Sequence, residues 1–107
     1  MGQQTLDGAD LTALRERYDR LVHERLPAAA REAGNWPIQD DHCFGRVVLD
    51  NTVGDEWYDH VDGRPAYRHL SRADLETAVG IAEEMLAAGR PRVEALNENS
   101  LRWRGEL

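Results

Sequence analysis

The chain contains no lysine; all 13 of its basic residues are arginine. That absence excludes Schiff-base chemistry on a lysine amine and the lysine that grips phosphate in a P-loop. One cysteine, Cys43, excludes an internal disulfide. No apolar run reaches membrane-spanning length and no signal-peptide core is evident, so the expected protein is soluble and cytoplasmic, with no membrane partner. The opening "MGQQTL" starts like a myristoylation signal, but Leu6 stands where Ser or Thr is required. Internal repeats and low-complexity tracts are missing as well, and so is any alternation of strand and helix patterns that would build a Rossmann-type sheet.

A hydrophobic fraction of 41% in 107 residues is enough for one modest core. A single helical domain over 1–107 is therefore expected, frayed at 1–9 and 105–107. The formal charge of -7 argues against nucleic acid and anionic lipid as partners. Arg90, Arg92, Arg102 and Arg104 make the C-terminal quarter locally basic, which an ordinary solvated helix surface explains.

Punctuation by Gly and Pro divides the chain into helices. Leu11, Leu14, Tyr18, Leu21, Val22 and Leu26 recur at spacings of three and four and predict an amphipathic helix from about Asp10. Pro27 should kink or break it, leaving a short second helix that stops at Gly34. Asp40 or Asp41 can cap a third helix, in which Phe44, Val47 and Val48 face the core, although the β-branched run at 46–49 also fits a strand. Residues 51–70 lack sustained periodicity and predict a long ordered loop with about one helical turn. Ser71 caps a clear helix with Leu75, Val79, Ala82 and Leu86 on one face, ended by Gly89. Pro91 opens a last helix carrying Val93, Leu96 and Leu101. The predicted fold is all-α, a small antiparallel bundle of four or five helices around the first helix and the one that Ser71 starts.

Candidate chemistry falls in three places. Cys43, in the first turn of a helix beside His42, has two requirements of a nucleophilic or redox-sensing thiol, but helix neighbours do not share a face and buried inert cysteine is the commoner fate. Asp41, His42, Cys43 and His60 are zinc-ligand types whose spacing matches no zinc motif, and the acids Asp55, Glu56, Asp59 and Asp62 lack the calcium-loop pattern, so neither metal nor cofactor is expected. The second place is the loop, where Trp57, Tyr58 and Tyr67 lie among Arg64, Arg68, His60 and His69; these aromatics either form a recognition surface or plug the end of the bundle. Third, His42, Arg46 and Asp50 recur every four residues on one helix face, while Asn97 shares the inward face of the last helix with Val93 and Leu101. Arg46 and Asp50 pair on the surface, or Asn97 and Arg104 roof the row into a polar pocket suited to an anion.

The stretches "NWP", "DHCFGRVVLDN", "RPAYRHLS" and "LNENSLRWRG" resemble a family of short, largely uncharacterised bacterial proteins with a WP, HCF-x-R, LD, N-x-x-SL-x-x-RG skeleton over roughly residues 35 to 105. The resemblance implies that Trp36, His42, Cys43, Phe44, Arg46, Leu49, Asp50, Asn97, Ser100, Leu101, Arg104 and Gly105 are signature positions. Some members carry the label GNAT-related N-acetyltransferase, which implies acetyl transfer on an α/β fold; this chain has no R/Q-x-x-G-x-G/A turn for a pyrophosphate. The expected function is a binding or regulatory module for a protein partner or small ligand, with a homo-oligomer left open and His42, Arg46, Asp50, Trp57, Tyr58, Tyr67, Asn97 and Arg104 as its binding residues. The alternative is a small enzyme or thiol sensor using His42 and Cys43.

Overall fold

A computed structural model describes residues 2–107, with side chains from Leu11 onward. The expectation of fraying at 1–9 lies outside the described side chains. Helix α1 spans Gly2–Arg20, α2 Leu26–Ala33, α3 Asp41–Val53, α4 Arg72–Ala88 and α5 Arg90–Trp103. Among the described residues there is no strand, so the 46–49 run is helical and the sheet of an acetyltransferase fold is not there.

Pro27 does not break the first rod. A π-turn over Leu21–Arg25 joins α1 to α2, and the Leu26 amide bonds back to the Leu21 carbonyl. The wider turn accommodates a residue that lacks an N–H and whose ring would crowd the carbonyl four residues earlier. Helix continues to Gly34, whose left-handed φ of 78° ends it.

Asp40 occupies the N-cap of α3, but its carboxylate makes no capping bond; Asp41 instead accepts from the His42 amide at 2.8 Å. Ser71 caps α4 as its sequence predicts, accepting from the Asp74 amide at 3.1 Å. Gly89 alone separates α4 from α5 and turns the corner at a φ of 75°. A Schellman closure finishes α5, with Gly105 bonding to Arg102 and Glu106 to Leu101.

Helix α4 is the centre of the bundle, packing on α1, α2, α3 and α5. Tyr18, Leu21, Val22 and Leu26 from the first rod meet Phe44, Val47 and Val48 of α3, Leu75, Ala78, Val79, Ala82 and Met85 of α4, and Val93 and Leu96 of α5. Met85 takes the fully buried place and Leu86 rides at the edge of the core. Burying a side chain such as Phe44 is worth about 1.5–3 kcal/mol, and together these contacts offset the entropy of ordering the chain.

The 51–70 segment ends α3 and then forms two 3₁₀ turns, Trp57–Asp59 and Ala66–His69. Gly63, at φ 106°, lies so close to the His69 ring that an added Cβ would stand 2.6 Å from it. A larger residue there would be strained at that φ and would have to displace the exposed His69 ring. No described helix is long and apolar enough to cross a membrane.

Candidate functional site

Asp50 is fully buried on α3, and burial of a carboxylate demands that its charge and lone pairs be met. Arg104 donates to it twice, from Nε at 2.7 Å and from Nη2 at 3.0 Å. The Ser100 hydroxyl donates at 2.6 Å and the Trp57 amide at 3.0 Å. These donors occupy the sites a carboxylate offers, so Asp50 has nothing left for a ligand. The bond to Asp50 also raises the Arg104 pKa, keeping the guanidinium charged. Asn51 adds a second tie between the same helices, donating to the Val47 and Leu96 carbonyls and accepting from Asn99. This polar seam holds α3, α5 and the start of the loop together.

Arg46 stands one turn before Asp50 but does not pair with it. Its guanidinium donates to Asn97 Oδ1 at 2.8 Å and to Ser100 Oγ at 3.2 Å, both neutral acceptors. Among the described residues it has no carboxylate partner. Of the two expected arrangements the direct surface pair of Arg46 and Asp50 does not form; Asn97 and Arg104 reach over from α5 instead, Arg104 meeting the buried acid bidentately, and Ser100 Oγ links the two by accepting from Arg46 and donating to Asp50. Asn97 faces inward as its spacing predicts, and its amide oxygen positions Arg46. His42, the first member of the predicted row, points to solvent with 78% of its side chain exposed.

Arg46 lines a cleft of about 190 Å³ between the π-turn, α3 and the loop. Tyr18, Leu49 and Ala66 are its buried parts. Trp57 and Tyr67 form half-buried walls, and His23, Asp41, His42 and Arg64 stand at its exposed edge. Tyr67 stacks on Tyr18 with centroids 5.0 Å apart, and Arg64 lies over the Trp57 ring at 5.4 Å. Like Arg46, Arg64 has no carboxylate partner among the described residues. The Tyr18 phenol has no hydrogen-bond partner among them either. Burial above all, with the adjacent Tyr67, pushes the Tyr18 pKa far above the ordinary tyrosine value, so the phenol remains a donor.

At the edge, His23 Nδ1 lies 2.9 Å from Asp41. That hydrogen bond, aided by the His42 amide, holds the Asp41 carboxyl below the usual aspartate range. Asp41 is therefore committed to structure, and His60 is equally committed to Asp55 at 3.1 Å. Neither belongs to the group of possible metal ligands that comes together among the described residues. Asp40, His42 and Cys43 do come together, with one ligand atom from each within 4.8 Å of the other two. Cys43 is half-buried against the core.

Within the loop, the alternatives of plug and recognition surface divide by residue. Trp57 and Tyr67 pack against the core, while Tyr58 remains 48% exposed, bonded to Glu56 and covered on one side by the Arg104 guanidinium at 5.1 Å. Sequence periodicity missed Tyr18 and His23 as cleft residues. Tyr18 reads as one more member of an apolar stripe, and only its hydroxyl distinguishes it from a Phe.

Comparison of the chain with protein-family models, with curated proteins and with solved structures finds no match in any of the three.

Proposed function

We propose that this protein is a binding module that takes a small organic anion into the cleft between the π-turn, α3 and the loop. The observation that carries this reading is the gathering of two guanidinium groups without carboxylate partners, Arg46 and Arg64, and the unpartnered hydroxyl of Tyr18, whose ring is packed in the core, on a single cleft. Arg46 is held in place by neutral acceptors, which leave its charge uncompensated, and Arg64 lies over the Trp57 ring. Both present planar donors suited to a carboxylate or phosphate. The Trp57 and Tyr67 rings favour a planar apolar body behind that charge, and a volume of about 190 Å³ limits it to roughly a single ring. A large protein interface fits less well. The exposed large hydrophobic residues among the described ones are Tyr58 and Leu107, two side chains being too little apolar surface for a large interface.

Calorimetric titration of the chain with benzoate, benzamide and inorganic phosphate tests the reading. Benzoate should bind, more weakly as salt is added, and benzamide should bind at least tenfold more weakly, as expected for loss of a charge-assisted bond worth about 1.5–3 kcal/mol. Arg64→Gln and Tyr18→Phe should each weaken benzoate. Equal binding of benzoate and benzamide would contradict an anion site.

A further inference from the structure

We propose a second site, a cation site for zinc or a similar borderline-soft divalent ion, built by Asp40, His42 and Cys43 at the start of α3. A carboxylate oxygen, an imidazole nitrogen and the sulfur all lie within 4.8 Å of one another. Zinc bonds of about 2.0–2.3 Å place tetrahedral ligand atoms roughly 3.3–3.8 Å apart. Closing the remaining gap requires rotation of Asp40 and His42, whose side chains are exposed, with His42 turning from its 3.9 Å approach to Asp41.

The Asp40 carboxylate is not engaged in capping the helix. An aspartate at an N-cap ordinarily accepts a hydrogen bond from an amide of the first helical turn. Here the carboxylate makes no such bond and lies instead beside the thiol and the imidazole. The turn is closed without the Asp40 side chain, since the Cys43 and Phe44 amides both donate to the Asp40 carbonyl, at 3.0 and 3.1 Å, and the His42 amide donates to Asp41. The three ligands are therefore brought together before any metal arrives, and none of them is consumed in holding the helix start.

Ligand chemistry selects the ion. One thiolate with one imidazole and one carboxylate suits zinc or cobalt and is wrong for magnesium or calcium, which take oxygen ligands. Three protein ligands leave at least one coordination position open, the pattern of zinc sites that bind or activate a further molecule. His42 belongs to this trio and also edges the anion cleft, so the two sites adjoin. The cation site nonetheless stands independently of the anion reading.

Cobalt(II) and zinc titrations of the chain provide the test. Cobalt should bind one ion per chain and produce an intense thiolate-to-cobalt absorption, and zinc added afterwards should displace it. Cys43→Ser should abolish the absorption, and Asp40→Asn, at an exposed position, should weaken zinc by more than about tenfold. Asp55→Asn, at the other His–Asp pair, should change nothing. Absence of the thiolate absorption, or zinc affinity unchanged in both Cys43→Ser and Asp40→Asn with circular dichroism intact, would overturn the proposal. Because benzoate binding by Cys43→Ser needs no metal, failure here is distinguishable from failure of the anion cleft.

Discussion

Asp50 and Arg46 lie one turn apart on α3, and the structure treats their charges in opposite ways. Around Asp50, Arg104, Ser100 and the Trp57 amide supply every donor the buried carboxylate can use. Around Arg46 the partners are neutral, the charge is uncompensated and the group borders a cleft with a second such arginine. A saturated polar cluster fixes architecture, because nothing in it can be offered to a ligand without leaving a buried group unpaired. An unsaturated one keeps hydrogen-bonding capacity for something that arrives later. Position on the helix does not distinguish the two; the count of satisfied groups does.

The largest effect should come from breaking the saturated side. Asp50→Ala leaves Arg104, Ser100 and the Trp57 amide without their acceptor and should cost about 3–5 kcal/mol in urea denaturation. On the other side of the comparison, Arg46→Met should cost only about 1 kcal/mol of stability, since it removes bonds to neutral partners, yet reduce benzoate affinity more than tenfold. An equal loss of stability in the two variants would erase the distinction between them.

Tyr18→Phe sharpens the comparison at high pH. A tyrosine whose pKa is raised by folding contributes stability that is fully present below its unfolded value of 10.0 and is lost as pH rises toward the folded value. The wild-type protein should therefore lose stability above pH 10, and the variant should lose less, as measured by thermal melts across that range. The smallest effect belongs to Asp41. Its lowered pKa contributes stability present above the unfolded aspartate value of 3.8 and lost as pH falls through the folded one. Asp41→Asn should remove that acid-side component, about 0.5 kcal/mol or less, because the pair with His23 is half exposed and screened by solvent.

Much of the scaffold was legible from periodicity and punctuation. The apolar spacing of Leu75, Val79 and Ala82, the Ser71 cap and the Gly89 stop locate α4, and the 46–49 run resolves as helix because Val47 and Val48 share an inward face with Phe44. Pro27, expected to kink or break the first helix, is preceded by a π-turn that absorbs the missing donor, and the expected short second helix follows it to Gly34; what the local rule does not contain is that the rod stays continuous. The four-residue spacing of His42, Arg46 and Asp50 identified residues that matter, but it could not assign them. Whether Asp50 meets Arg46 or Arg104 depends on how α5 crosses α3, a long-range fact that i,i+4 spacing does not contain. The cleft was harder still, since Tyr18, Arg46 and Arg64 come from three separate segments.

The contrast between the two arginine environments can be read in one experiment. Nitrogen-15 NMR of the wild-type chain, titrated with benzoate, follows the guanidinium Nε–H signals of Arg46, Arg64 and Arg104 together. Shifts at Arg46 and Arg64 that saturate with ligand, beside an unmoved Arg104, are the predicted result. Movement of Arg104 comparable to the other two, or no movement at Arg46 and Arg64, would contradict the division between a closed polar seam and an open cleft.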